Sequence, residues 1–119
     1  MHERRRYVRA NGLVLVNFKI HQHQLQGKCS AFDVSGTGVR ITAEQKVNIG
    51  AEAEMEIYLP GSSQPILAKG KVIWTEKAKE SPATQISAQK EYFYVGVEFT
   101  VITVKNKEKI VNYVNRKLH

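Results

Sequence analysis

The sequence predicts an all-β domain that ends in one α-helix, and three observations lead to this fold class. Six segments alternate apolar and polar residues with the period of a β-strand. Turns rich in glycine, proline or polar residues separate these segments. The last segment changes to a helical period. Because the chain has 119 residues, of which 42% are hydrophobic, we expect a single domain, 1–119, around one core.

The first three predicted strands precede residue 43. In "LVLVNFKIH", residues 13–21, the alternate apolar side chains from Val14 to Ile20 share one face. The polar "QHQLQG" predicts a hairpin loop, and "KCSAFDV" returns as a second strand whose less regular alternation we interpret as a bulge. After the break at "SGTG", the short "VRIT" directs Val39 and Ile41 inward.

The fourth to sixth strands alternate more regularly. "AEAEMEIYL" places Glu52, Glu54 and Glu56 on the outer face, and "PGSSQP" after it is a turn. The fifth strand, "ILAKGKVIW" at 66–74, is separated from the sixth, "YFYVGVEFTVI", by a long hydrophilic loop. From the residues alone, six strands joined by turns favour an antiparallel barrel or a sandwich.

The final segment, "TVKNKEKIVNYVNRKLH", repeats apolar residues every four positions at Ile110, Val114 and Leu118. This period predicts an amphipathic helix over 104–118, with Thr103 as its N-cap. We expect the helix to cover one end of the barrel.

Charge and cysteine content narrow the function classes. The net charge of +7 favours an anionic partner. The apolar runs are too short to span a bilayer, and no signal peptide is visible, so we expect no membrane insertion. Cys29 is the single cysteine, which excludes an internal disulfide and favours a cytoplasmic location. The positive charge is concentrated near both ends, at Arg4, Arg5, Arg6 and Arg9 and at Lys105, Lys107, Lys109, Arg116 and Lys117.

No catalytic arrangement is visible in the sequence. There is no phosphate-binding glycine loop, and Ser35 has no histidine or lysine placed by a known nucleophile motif. His21 and His23 would share a strand face, but two ligands without a cysteine or carboxylate beside them make a poor metal site. We therefore expect no enzyme activity, no metal and no cofactor.

Two short motifs are each weak on their own. Arg5 and Arg9 form an R-x-x-x-R pattern that by itself is typical of a solvated basic tail. Asp33, Ser35 and Gly38 form D-x-S-x-x-G, which by itself is typical of a β-turn. Together, in this order, they resemble the PilZ domain, a bacterial receptor for cyclic di-GMP. The resemblance extends through "GKVIW", "VGVEF" and the terminal helix, and so covers essentially the whole chain.

The resemblance implies a six-stranded antiparallel β-barrel over 13–101, preceded by an arginine-rich binding segment, 1–12, that we expect to be flexible without ligand. It makes Arg5 and Arg9 the principal arginines, whose planar forks fit guanine O6/N7 and phosphate. It implies that Asp33 accepts hydrogen bonds from the donors of guanine's Watson–Crick edge. It also implies that the Ser35 hydroxyl contacts the phosphate or the base. Gly38 would allow close backbone approach.

The resemblance also bears on the roles of three further residues, two in the arginine-rich segment and one in a strand. Arg4 before the motif implies two ligand molecules per chain. Arg6 either contacts phosphate or is solvated. Trp74 shares the predicted face of Val72, so core packing is its leading explanation, although in some relatives a tryptophan at this point flanks the guanine. Ligand would order the N-terminus and change the contacts with a protein partner that the sequence does not identify.

Three alternatives remain open. A basic barrel of this kind can bind single-stranded nucleic acid, although the charge is terminal and aromatic residues do not interleave with it. A PilZ-like domain can also act as an interaction module that binds no ligand. The chain can also be one regulatory module of a larger protein.

Overall fold

The computed structural model describes residues 8–9, 14–78 and 91–118. In these ranges the chain forms one sheet of eight strands and an α-helix. The strands are β1 Val8–Arg9, β2 Leu15–Ile20, β3 Leu25–Ser30, β4 Asp33–Val34, β5 Gly38–Ala43, β6 Glu52–Tyr58, β7 Ile66–Lys77 and β8 Phe93–Val101, and the helix is α1 Val104–Leu118.

The strands follow the order β1-β4-β5-β8-β7-β6-β2-β3, and every neighbouring pair is antiparallel. Strand β3, at one end of this order, also contacts β5, which is third from the other end. The sheet is therefore curled into a half-barrel. The predicted all-β barrel with a C-terminal helix is confirmed, with two strands of two residues each added to the six longer ones.

The second predicted strand differs from the structure at both ends. A short 3₁₀ turn, His21–His23, and Gln24 at φ 51° reverse the chain, so β3 already begins at Leu25. The segment "KCSAFDV" is divided between β3 and β4 rather than bulged. The amide of Ala31 donates to the Val14 carbonyl, and the amide of Phe32 donates to the Arg40 carbonyl, so the chain changes its strand partner here.

The core lies on the inner face of the curled sheet. The alternate residues of β2, from Val16 to Ile20, are buried, as are the inner residues of β6 between its three exposed glutamates. Helix α1 adds Ile110, Tyr113 and Val114 to the buried core. Its predicted N-cap is present, since the Asn106 amide donates to Thr103 Oγ1 at 3.1 Å. Within the described ranges, no helix has the length and apolarity needed to cross a membrane.

A β-bulge in β7 reverses the face on which Trp74 lies. Val72 pairs with Val97, but Trp74 pairs with Gly96, so Ile73 is an extra residue on β7. Because Val95 and Val97 point into the core, Gly96 between them faces outward, and Trp74 faces outward with it. The expectation that Trp74 shares the core face of Val72 is therefore wrong.

Candidate functional site

A row of register partners crosses five strands of the sheet. Arg9 pairs with Asp33, and Asp33 pairs with Arg40. Arg40 pairs with Gly96, and Gly96 pairs with Trp74. The backbone pairing thus brings a residue from each of the two sequence motifs, R-x-x-x-R and D-x-S-x-x-G, into adjacent positions.

Arg40 is the centre of this row. Its Nη2 lies 2.9 Å from Asp33 Oδ2, and its guanidinium carbon lies 5.1 Å from the ring centroid of Phe32 and 5.3 Å from that of Trp74. Each cation–π contact of this kind contributes about 0.5–2 kcal/mol. The Arg40 side chain keeps 35% of its surface exposed, so these contacts do not enclose it completely.

The aromatic surface continues beyond Arg40. Phe32 stacks on Tyr94, with ring centroids 5.4 Å apart and an interplanar angle of 29°. Tyr94 pairs with Thr42 of β5, one outward position along from Arg40. Phe32 and Trp74 therefore flank the guanidinium of Arg40, and Tyr94 extends the aromatic surface beyond Phe32. This arrangement suits a flat, polar-edged molecule.

A small cleft lies beside the aromatic surface. It has a volume of about 200 Å³, and its lining includes Thr37, Arg40, Trp74 and Glu98. Pockets that enclose a drug-sized molecule have volumes of roughly 300–1,000 Å³. A larger ligand would therefore contact the open face of the sheet as well as this cleft.

The "DVSGTG" corner is tied together by its own hydrogen bonds. Ser35 Oγ accepts from the Thr37 amide at 3.2 Å and shares a hydrogen bond of 3.1 Å with Thr37 Oγ1. The Ser35 amide donates to the Gly38 carbonyl at 2.9 Å. Asp33 and Ser35 are both buried, at 7% and 4% exposure. In this state the Ser35 hydroxyl therefore stabilises the turn.

Both glycines of the corner are required by close neighbours. A Cβ on Gly38 would collide with the carbonyl oxygen of Val97 on β8. A Cβ on Gly36 would lie 2.8 Å from Val111 Cγ2 on helix α1. The close approach expected at Gly38 is thus an approach to β8, and Gly36 is what allows the helix to contact the corner.

The structure brings four of the predicted residues, Asp33, Ser35, Gly38 and Trp74, to the same region as the backbone of Arg9. The predicted residues Arg4, Arg5 and Arg6 lie outside the described residues.

Sequence reasoning missed Arg40, Phe32 and Tyr94. One signal was available: if residues 35–38 form the turn, counting outward pairs Val34 with Val39 and Asp33 with Arg40. Opposite charges at facing antiparallel positions predict contact.

The histidines that were considered as metal ligands make other contacts. His21 Nε2 lies 2.9 Å from Glu54 Oε2, and His23 Nε2 accepts from the Asn48 amide at 3.0 Å. In the described part of the chain, no group of three His, Cys, Asp or Glu side chains is placed to hold a metal ion.

Comparison with known protein families gives one match over nearly the whole chain. The sequence model of the PilZ domain matches residues 3–116. A comparison with curated proteins finds no match to this chain.

Several solved structures have the same fold. The PilZ domain of YcgR from Escherichia coli, with c-di-GMP, superposes with a TM-score of 0.62 at 12% identity, over 96% of this chain and 93% of that one. The Bacillus subtilis inhibitor of motility MotI/DgrA gives 0.66 at 17% identity, over 96% and 50%. The K. pneumonia MrkH–c-di-GMP complex gives 0.66 at 12% identity, over 93% and 49%. This chain spans about half the length of MotI and MrkH.

Proposed function

The chain belongs to the PilZ domain family, and from this premise we propose that it is a receptor for cyclic di-GMP. The observation that carries the proposal is the row in which Arg9, Asp33, Arg40 and Trp74 follow one another across neighbouring strands. The structures of YcgR and MrkH, which share the fold, are complexes with c-di-GMP. The row supplies cationic forks, a carboxylate and an aromatic face, the three kinds of group that a guanine nucleotide requires.

The arginine segment carries the anionic and guanine contacts in this proposal. Arg5 and Arg9 bind phosphate oxygens and the O6/N7 edge of guanine, because a guanidinium offers two parallel donors. Arg6 adds a phosphate contact. Charge-assisted hydrogen bonds of this kind contribute about 1.5–3 kcal/mol each.

Asp33 has a double role in the proposal. One carboxylate oxygen accepts from Arg40, as in the structure. An ionised carboxylate only accepts hydrogen bonds and has about four acceptor positions, so its chemistry suits the N1–H and N2–H₂ donors of a guanine. The arginine forks would favour guanine over adenine, because adenine presents a donor where a fork needs an acceptor.

Trp74 and Arg40 form the stacking surface for a base. The bulge that turns Trp74 outward supports the guanine-flanking role over core packing. Base stacking on an aromatic side chain contributes about 1–3 kcal/mol. Ser35 and Gly38 shape the corner, and the Ser35 hydroxyl exchanges its bond to Thr37 for a ligand oxygen when phosphate arrives.

The output of the receptor is a change of contacts and not of covalent bonds, so we propose no enzyme activity. Ligand fixes residues 3–10 against the sheet, and this alters the surface offered to a cytoplasmic protein partner. Arg4 supports a second ligand molecule stacked on the first. No cofactor or metal takes part, and the nucleotide is the signal itself.

Isothermal titration with cyclic di-GMP, using cyclic di-AMP as the control nucleotide, tests the proposal. We expect micromolar or tighter binding of cyclic di-GMP only, at a stoichiometry of two. Arg9→Ala and Asp33→Ala should each abolish it, while Arg116→Ala, on the exposed face of α1, should not. A stoichiometry of one would remove the second ligand molecule alone. Absence of binding, or tighter binding of a single-stranded oligonucleotide, would contradict the receptor function.

Amide exchange tests the proposed effect on the N-terminus. Protection of residues 3–10 should increase when cyclic di-GMP is added and stay constant with cyclic di-AMP. Equal exchange in both nucleotides would contradict ligand-induced ordering without contradicting binding.

A further inference from the structure

Helix α1 contacts the "DVSGTG" corner through a lysine as well as through Val111. The Lys107 side chain lies along the corner, with Cε 3.5 Å and Cγ 3.7 Å from the position that a Cβ on Gly36 would occupy. Lys107 precedes Val111 by four residues, so the two side chains lie on one face of the helix. The Lys107 ammonium, one bond beyond Cε, therefore lies close to the corner.

The charge of Lys107 has no carboxylate partner among the described residues. Lys107 is exposed, and its amide donates to the Thr103 carbonyl in the first turn of α1. No acidic residue lies in that turn. A cation there is unfavourable because the amino end of a helix carries a partial positive charge. A bound anion at the corner would neutralise both charges.

We propose that Lys107 is a further binding residue for the ligand and donates from Nζ to a phosphate oxygen held at the corner. This inference rests on the proposed function, since it supposes that an anionic nucleotide occupies the corner. It makes the C-terminal helix part of the site and adds a cation that is remote in sequence from the arginine segment. A lysine suits phosphate here, because an ammonium acts as a point charge and needs no fixed plane.

The helix offers a matched control. Lys109 is also exposed on α1, but it lies two residues further on, about 200° around the helix from Lys107. Lys107→Met and Lys109→Met remove the same charge and retain most of the stem. Lys107→Arg keeps the charge at the corner. Comparison of the three variants separates a contact at the corner from a general effect of net charge.

The experiment is titration of cyclic di-GMP into each variant at low and high salt. We expect Lys107→Met to weaken binding roughly tenfold and to reduce its salt dependence, because one charge-assisted hydrogen bond is lost. The affinity of Lys109→Met for cyclic di-GMP should stay within about twofold of that of the unmodified chain. The affinity of Lys107→Arg should be close to that of the unmodified chain. Thermal unfolding midpoints of all three should agree to within a few degrees, because both lysines are exposed and a single charge near a helix end has a small effect.

Two outcomes would overturn this inference, and they are distinguishable. If Arg9→Ala and Asp33→Ala abolish binding but Lys107→Met and Lys109→Met are equally affected, then the receptor function stands and the role of Lys107 is wrong. If the unmodified chain binds no cyclic di-GMP, the receptor function fails and this inference fails with it.

Discussion

Arg40 and Asp33 are register partners on neighbouring strands, and their side chains form an ion pair with Nη2 2.9 Å from Oδ2. The carboxylate fixes the plane of the guanidinium between the rings of Phe32 and Trp74. The pair is 10% exposed on the aspartate side and 35% on the arginine side. Its main effect is therefore to orient a partly open cation.

Arg40→Lys tests this orienting role. An ammonium keeps the charge but loses the fork and the flat face. We expect binding of cyclic di-GMP at least tenfold weaker by calorimetry, with a thermal unfolding midpoint close to that of the unmodified chain. Arg116→Lys, on the exposed face of α1, is the control and should leave affinity unchanged. Equal affinities for the two variants would show that Arg40 does not contact the ligand.

Gly96→Ala tests the position of Trp74. A Cβ at Gly96 would collide with Nε1 of the indole, so the ring must move away from Arg40. We expect a loss of roughly 1–3 kcal/mol in the free energy of unfolding and a red-shifted emission maximum. Trp74 is the only tryptophan, so the emission reports this residue alone.

The control for Trp74 is Gly36→Ala, which disturbs the helix contact on the other side of the corner and should leave the emission maximum in place. An unshifted spectrum in Gly96→Ala would contradict the outward placement of Trp74 against β8.

Gly36→Ala and Val111→Ala test the contact between the corner and the helix as a double-mutant cycle. The added methyl would lie 2.8 Å from Val111 Cγ2, so we expect Gly36→Ala to destabilise the chain in urea unfolding. Val111→Ala removes that Cγ2 atom and should recover much of the loss. A coupling free energy of about 0.5–3 kcal/mol is expected for side chains in contact. Gly36→Ala with Val104→Ala, at a position that is 74% exposed, should show none.

The largely buried thiol of Cys29 should cause a loss of stability at alkaline pH. Burial raises the pKa of its thiol above the ordinary value of 9.0, while hydrogen bonds from Thr42 act in the opposite direction. The unfolded chain therefore ionises first, so this contribution to stability is complete below pH 9.0 and is lost as the pH rises toward the folded pKa.

Urea unfolding between neutral and alkaline pH, with Cys29→Ala as the matched variant, measures this contribution. The difference between the two pH profiles should decline above pH 9.0. Native Cys29 should also react with iodoacetamide much more slowly than in urea, because the thiolate is the nucleophile. Equal native and denatured rates would show that the thiol is not protected by the barrel.

The long strands and the helix were predictable because each has one buried face. In β6 the glutamates alternate with buried Ala53, Met55 and Ile57, and this period is visible without a structure. Strands β1 and β4 have two residues each, too few for a period to be recognised. The bulge at Ile73 could not be seen in the sequence either. One inserted residue moves the side chains that follow it to the opposite face of the sheet, while apolar and polar residues in the sequence still alternate.

The candidate site was predictable only in part, for a related reason. The motif positions Asp33, Ser35 and Gly38 are local in sequence and were identified because, together with the arginine motif, they resemble the PilZ pattern. Arg40 could be placed by counting through the turn. Phe32 lies beside Arg40 only because the chain changes its strand partner after β3, and Tyr94 then stacks on Phe32. That change follows from the curl of the whole sheet and has no local signal.

The link at Ala31 and Phe32 also limits how this molecule can respond to a ligand. Two residues, each spanning at most about 3.3–3.6 Å, connect a strand at one end of the sheet order to β4 near the other. This link limits how far β3 and β4 can move apart, so the half-barrel cannot open widely at this point. A molecule that binds across the outer face of the sheet would therefore have to alter something other than the spacing of these two strands.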